Sequence, residues 1–150
     1  MARLIYRNVG GRESLVAVHS VDTAAGGGGV RWYEFRLDRN RDPQLFQQGT
    51  FAPDGAYRWM ASPAIDRQGN IAIGYSFGDA TNFPGQRIAG RLAEGEAAQT
   101  TTLRWEDYTQ TAVDPLDDCT IWYVGDYLKA GATSYSTRIG AVRVPGCGAR

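Results

Sequence analysis

The sequence predicts an all-β chain of about three successive antiparallel units, and three observations carry that prediction. Its 150 residues include 19 glycines, 8 tyrosines and 4 tryptophans, a balance suited to short strands and turns and lacking the Ala/Leu/Glu/Lys patterning of helices. Short clusters of Asp, Gly, Asn and Pro separate the apolar runs, as turns between strands require. Most tellingly, the chain repeats. Arg58-Trp59 opens a stretch that Arg104-Trp105 opens again 46 residues later, and Arg87-Ile88-Ala89-Gly90-Arg91-Leu92 returns, 51 residues on, as Arg138-Ile139-Gly140-Ala141-Val142-Arg143. A period in the forties with several strands per copy is the signature of a β-propeller.

Taken in order, the first unit spans about residues 3–51. Ser14-Leu15-Val16-Ala17-Val18-His19 is its central apolar run, Val30 to Leu37 the next strand, and Leu45 to Phe51 a fourth. Gly26 to Gly29 lies between two strands and leads into no helix, so it reads as a hairpin loop and not a phosphate cradle. The second unit, 52–103, runs through Ala64-Ile65-Asp66, the turn Arg67-Gln68-Gly69, the apolar run Asn70 to Tyr75 and a third strand over Arg87 to Leu92, with Thr100 to Leu103 as a candidate fourth. The third, 104–147, runs through Ala112-Val113-Asp114, the turn Pro115 to Asp118, the run Cys119 to Val124 and the strand Arg138 to Val144, which leaves no room for a fourth.

Both cysteines fall in that last unit. The midpoint between Cys119 and Cys147 is residue 133, inside Ala130 to Ser134, so a hairpin turning there brings the two sulfurs together. A disulfide is expected, and with it an oxidising compartment, extracellular or periplasmic. The start, Met1 to Gly11, has no apolar core like that of a signal peptide. No run approaches the roughly 18 apolar residues of a membrane helix, so no membrane partner is expected.

Sixteen basic side chains balance sixteen acidic ones. No net field draws in phosphate backbones, so nucleic acid is not an expected partner. His19 is the only histidine, which excludes histidine-pair metal and HExxH chemistry within one chain. It alternates with Leu15, Ala17 and Val21 on one strand face, the position of a structural histidine, and a base would need a nucleophile and an orienting partner nearby. Asp114, Asp117 and Asp118 carry calcium-type oxygens, but Asp-Pro-x-Asp is also a turn with Pro115 fixing φ. The turn reading is preferred, and neither a metal nor a cofactor is expected.

In a propeller the loops leading into the innermost strands ring the central channel, the usual place for a ligand. Here those loops carry Arg58, Trp59, Arg104, Trp105, Glu106, Asp107 and Tyr108, the candidate ligand-binding set. The recurrence of both Arg-Trp pairs at one repeat position favours a structural role, with Trp59 and Trp105 as repeat core residues and the arginines stacking or pairing across blades. A partial ring leaves apolar faces and strand edges uncovered. A second copy, two threes making a six-bladed ring, or the rest of a longer propeller is therefore expected to cover them.

Several segments go further. Tyr6-Arg7-Asn8, Glu13 to Val16, Gly29 to Glu34, Tyr57 to Met60, Arg104 to Tyr108 and Val113 to Cys119 together resemble the C-terminal region of large secreted bacterial proteins with sialidase-like (BNR-type) β-propellers. The resemblance covers nearly the whole chain, and Asp-Asp-Cys-Thr-Ile-Trp-Tyr, 117–123, is its most specific part. It implies an exported, longer parent protein and a glycan as candidate ligand. Two departures stand out: Glu106 occupies a position usually held by glycine, and Val124-Gly125-Asp126 replaces a more polar stretch. A sialidase-like reaction uses a tyrosine nucleophile with arginines on a carboxylate. Tyr108 beside Glu106, with Arg58 and Arg104, is the constellation of that type, while Ser62 to Gly69 matches the sialidase Asp-box turn only loosely. The expected function is a non-catalytic structural or ligand-binding segment, with part of a sialidase-like hydrolase as the alternative.

Overall fold

The structure, a computed structural model, describes residues 2–88, 91–93, 105 and 107–147. Among them there is no helix, and they form eleven strands in three antiparallel sheets. Sheet one is β1 (Ala2–Val9), β2 (Arg12–Asp22), β3 (Gly28–Leu37) and β4 (Pro43–Phe51) in chain order. Sheet two is β5 (Tyr57–Ile65), β6 (Ile71–Gly78), β7 (Gly85–Ile88) and β8 (Arg91–Ala93), and sheet three is β9 (Gln110–Val113), β10 (Thr120–Tyr127) and β11 (Ser136–Arg143). Every ladder is a simple meander, as short turns between sequential strands dictate.

Local chemistry explains the turns. Val9 faces Arg12 across the two-residue turn Gly10-Gly11, whose φ values of +58° and +84° suit glycine and the primed hairpin turns. Between β5 and β6, the Asp66 carboxylate accepts from the amides of Gln68 and Asn70, both at 2.9 Å, and from the Asn70 side chain at 2.8 Å. Asp117 does the same work before β10, accepting from the amides of Cys119 and Thr120 at 2.8 Å. Such Asx turns give the backbone partners that a loop otherwise lacks.

Period-two alternation decides the packing. On β2, Ser14, Val16 and Val18 are buried against sheet two, where Val18 and Val30 join Ala56, Ala61, Tyr75 and Phe77. The other face of sheet two packs on sheet three through Ala64, Ala72, Ile88, Ile121 and Tyr123. Sheet two is thus the middle layer of three. Gly74 is required there: a Cβ would stand 2.2 Å from the Tyr123 ring.

Three expectations are corrected. The strand read over Arg87 to Leu92 is two, β7 and β8, because the ladder reverses: Arg87 faces Arg91. Half of the glycine run is strand, since Gly28 and Gly29 pair with Asp22 and Val21. The β10–β11 hairpin turns earlier than the cysteine midpoint suggests. Tyr127 faces Ser136, which centres it between Gly131 and Ala132. The disulfide forms all the same, with Cα atoms 5.6 Å apart. After β11 the chain folds back through a turn, Cys147 N donating to Val144 O at 3.2 Å with Gly146 at φ +91°, and this takes up the offset. The candidate strand Thr100 to Leu103 lies outside the described residues.

Candidate functional site

The first strands of the three sheets, β1, β5 and β9, lie side by side. A groove of about 180 Å³ is lined by all three, through Ile5, Pro63, Ala64, Thr111 and Val113 among others. Hydrogen bonds tie the three strands together. Arg3 donates to Thr109 O at 2.8 Å, Thr109 Oγ1 to Met60 O at 2.5 Å, and Thr111 Oγ1 to Ser62 O at 2.6 Å. The Ser62 hydroxyl in turn accepts from the Thr111 amide at 2.9 Å. β5 bends to make these contacts: its register on β6 shifts between Trp59 and Ser62, and Met60 sits at φ +51°. That is the two-for-one count of a β-bulge, a device that re-aims side chains at a sheet end.

The bulge sets the aromatic residues of the site. Trp59 meets Trp105 edge-on with centroids 6.2 Å apart, and Trp105 meets Tyr135 at 6.3 Å. The Trp105 indole donates to Ser76 Oγ at 3.3 Å. Beside them opens a cleft of about 640 Å³, a usual size for a small-molecule site, lined by the ends of β2 and β6, the start of β5 and the loop before β7. Tyr57 and Trp59 form its aromatic wall, and Ser20, Asp22, Asp79 and Asn82 its polar one. Asp79 organises its loop: its carboxylate takes the amides of Thr81 and Asn82, both at 2.7 Å, with both side chains as well. These bonds lower its pKa to about 2.

The sequence-predicted set is divided by the fold. Trp59 and Trp105 are brought together. Arg58 borders the cleft but is only 3% exposed, its guanidinium donating twice to Asp54 at 2.8 Å and once to Ala56 O at 3.0 Å and lying 5.4 and 5.3 Å from the ring centroids of Phe51 and Phe77. The hydrogen bonds from Arg58 hold the Asp54 carboxyl below its usual range. Tyr108 is 76% exposed, with the Arg3 guanidinium 5.7 Å from its ring centroid. Asp107 is exposed. Arg104 and Glu106 lie outside the described residues.

No family model, curated protein or solved structure matches this chain. Nothing from those comparisons therefore bears on the sialidase-like resemblance, and the site stands on its own geometry.

The remaining candidates have partners of their own. Asp114 accepts from the Leu116 amide and the Trp122 indole, Asp117 from Thr120 and Arg143, and Asp118 from Arg7. Each carboxylate answers a different donor. His19 lies on the outer face of sheet one, stacked on Tyr33 at 5.8 Å, with Nδ1 3.1 Å from Ser20 O. Among the described residues no three His, Cys, Asp or Glu side chains converge on one point, and no helix is long and apolar enough to cross a membrane. Sequence reasoning missed Asp22, Tyr57, Asp79 and Asn82. A signal for the first was present: Ser20 and Asp22 continue the core-facing parity of Ser14, Val16 and Val18, and polar residues at core positions mark a place where the sheets part.

Proposed function

We propose that the chain is a segment of a β-propeller, its three sheets successive blades, acting as a non-catalytic structural or ligand-binding part of an exported bacterial protein. What carries the reading is the position of β1, β5 and β9: each is the first strand of its meander, and all three line one groove, as innermost strands line a propeller channel. The disulfide is consistent with an oxidising compartment. The ligand position is the cleft at the N-terminal end of β5, where Tyr57 and Trp59 offer ring faces and Asp22 and Asn82 offer hydrogen-bonding groups. Ring faces with flanking acceptors suit the apolar faces and hydroxyls of a glycan.

The test is a glycan-binding titration followed by tryptophan fluorescence, alongside a fluorogenic sialoside assay. The expected results are saturable binding that falls at least about tenfold in Trp59→Ala, a loss of about 1.4 kcal/mol, and no hydrolysis. Hydrolysis that disappears in Tyr108→Phe would overturn the non-catalytic reading in favour of a sialidase-like enzyme completed by groups outside this chain.

A further inference from the structure

Among the described residues, the two outermost sheet faces each carry exposed apolar side chains that no other element covers. On sheet one the face opposite the core presents Leu4, Tyr6 and Leu45, which are 63%, 51% and 51% exposed, around Leu15, Tyr33 and Phe35. On sheet three it presents Trp122 and Ile139, 43% and 67% exposed, around Ala112, Val124 and Ala141. Contiguous exposed apolar surface of this kind marks an interaction site.

The ladders order each face into rows, and the rows match. Away from the β1–β2 turn, sheet one begins with His19 opposite Arg31, continues with Leu4, Ala17, Tyr33 and Gln48, then Tyr6, Leu15, Phe35 and Leu45, and ends beside the turn at Glu13. Away from the β9–β10 turn, sheet three begins with Asp126 opposite Thr137, continues with Gln110, Val124 and Ile139, then Ala112, Trp122 and Ala141, and ends beside the turn at Arg143. Stacked in the same direction, base meets acid at one end, acid meets base at the other, and between them two mainly apolar rows meet, with Gln48 and Gln110 at the margin of the same row. Asp126 is only 8% exposed and holds Thr137 Oγ1 at 2.9 Å, while Glu13 and Arg143 already have Arg41 and Asp117 beside them. Their part is to set direction more than to add affinity.

We propose that two copies of this chain close head to tail, the outer face of sheet one of each copy packing on the outer face of sheet three of the other. The inference rests on the reading of the sheets as propeller blades. A second copy is the occupant because the two faces answer one another within a single sequence, and because the contact repeats the face-to-face packing that joins sheet one to sheet two and sheet two to sheet three. Such a heterologous contact, made twice, forms a closed ring with no uncovered sheet face.

Light scattering is expected to give twice the 16.4 kDa chain mass. Leu4→Arg and Ile139→Arg change exposed side chains, so each variant should keep its far-ultraviolet circular dichroism and scatter as a monomer. Mixing them should restore the dimer mass, because a mixed pair keeps one contact free of both substitutions. A monomeric or openly polymerising wild-type chain would overturn the two-copy ring while leaving the blade reading in place, its faces then belonging to other segments of a longer protein. A dimer abolished by only one variant and not restored by mixing would mean that like faces meet, which overturns the ring and the blade reading together.

Discussion

Arg58 shows how a residue singled out for binding serves the fold. Its guanidinium is buried and answered by a half-exposed carboxylate, Asp54. Asp54→Ala should therefore destabilise the chain by about 1.5–3 kcal/mol, the range for hydrogen bonds to a charged group, measured by chemical denaturation; no change would mean that solvent replaces the carboxylate. The acids also give a pH dependence. Hydrogen bonds push Asp54, Asp79 and Asp117 below their ordinary range, so the folded state binds their protons less readily than the unfolded chain does. Their contribution is complete above the unfolded carboxylate pKa, about 4, and lost as pH falls through the lower folded values. Asp126 runs the other way, since burial raises its pKa, and protonation favours the fold there. Thermal melting should show stability falling between about pH 4 and pH 2, with a shallower fall in Asp117→Asn. At this scale the sequence was legible where a residue acts on its neighbours, as in the Asp66 and Asp117 turns. It was less legible for Arg58: its carboxylate partner Asp54 stands only four residues before it, but its ring contacts, Phe51 at the end of β4 and Phe77 on β6, meet only in the folded chain.

Among the elements, the β10–β11 hairpin and its packing on β6 join the third sheet to the second. Tyr123 is fully buried and covers Gly74. Tyr123→Ala should cost about 3–5 kcal/mol, as large-to-small aromatic substitutions in a core do. Gly74→Ala should be destabilising despite its small added volume, because the Cβ would overlap the ring. Equilibrium unfolding of the two variants checks both. Cys119 and Cys147 close a loop with a sequence separation of 28. Reduction, or the double alanine variant, should lower stability by about 2–4 kcal/mol, read as a fall in Tm. The repeat and the turn chemistry located the strands well. The register of this hairpin escaped them, because a disulfide constrains where two residues end and not how the chain between them pairs. The β5 bulge at Met60 was equally hidden: it arises from contacts with Thr109 and Thr111, distant in sequence.

For the whole molecule, three sheets stacked in chain order leave the first and last with one apolar face each. A chain that hides those faces by association should melt at a temperature that rises with protein concentration, since a partner binding only the folded form stabilises it by mass action. Calorimetry over a wide concentration range reads this directly, and a constant Tm would argue for a stable monomer.

The sequence by itself determined the all-β class, the order of most strands, turns such as those at Asp66 and Asp117, and the cysteine pairing, because these follow from alternation, turn residues and repetition along the chain. Tertiary structure alone decided which face each strand buries, where β5 bends and which side chains border the cleft. Those depend on groups such as Asp22, Trp59 and Asn82, which meet only once separate sheets have packed, and no local pattern records the distance between sheets.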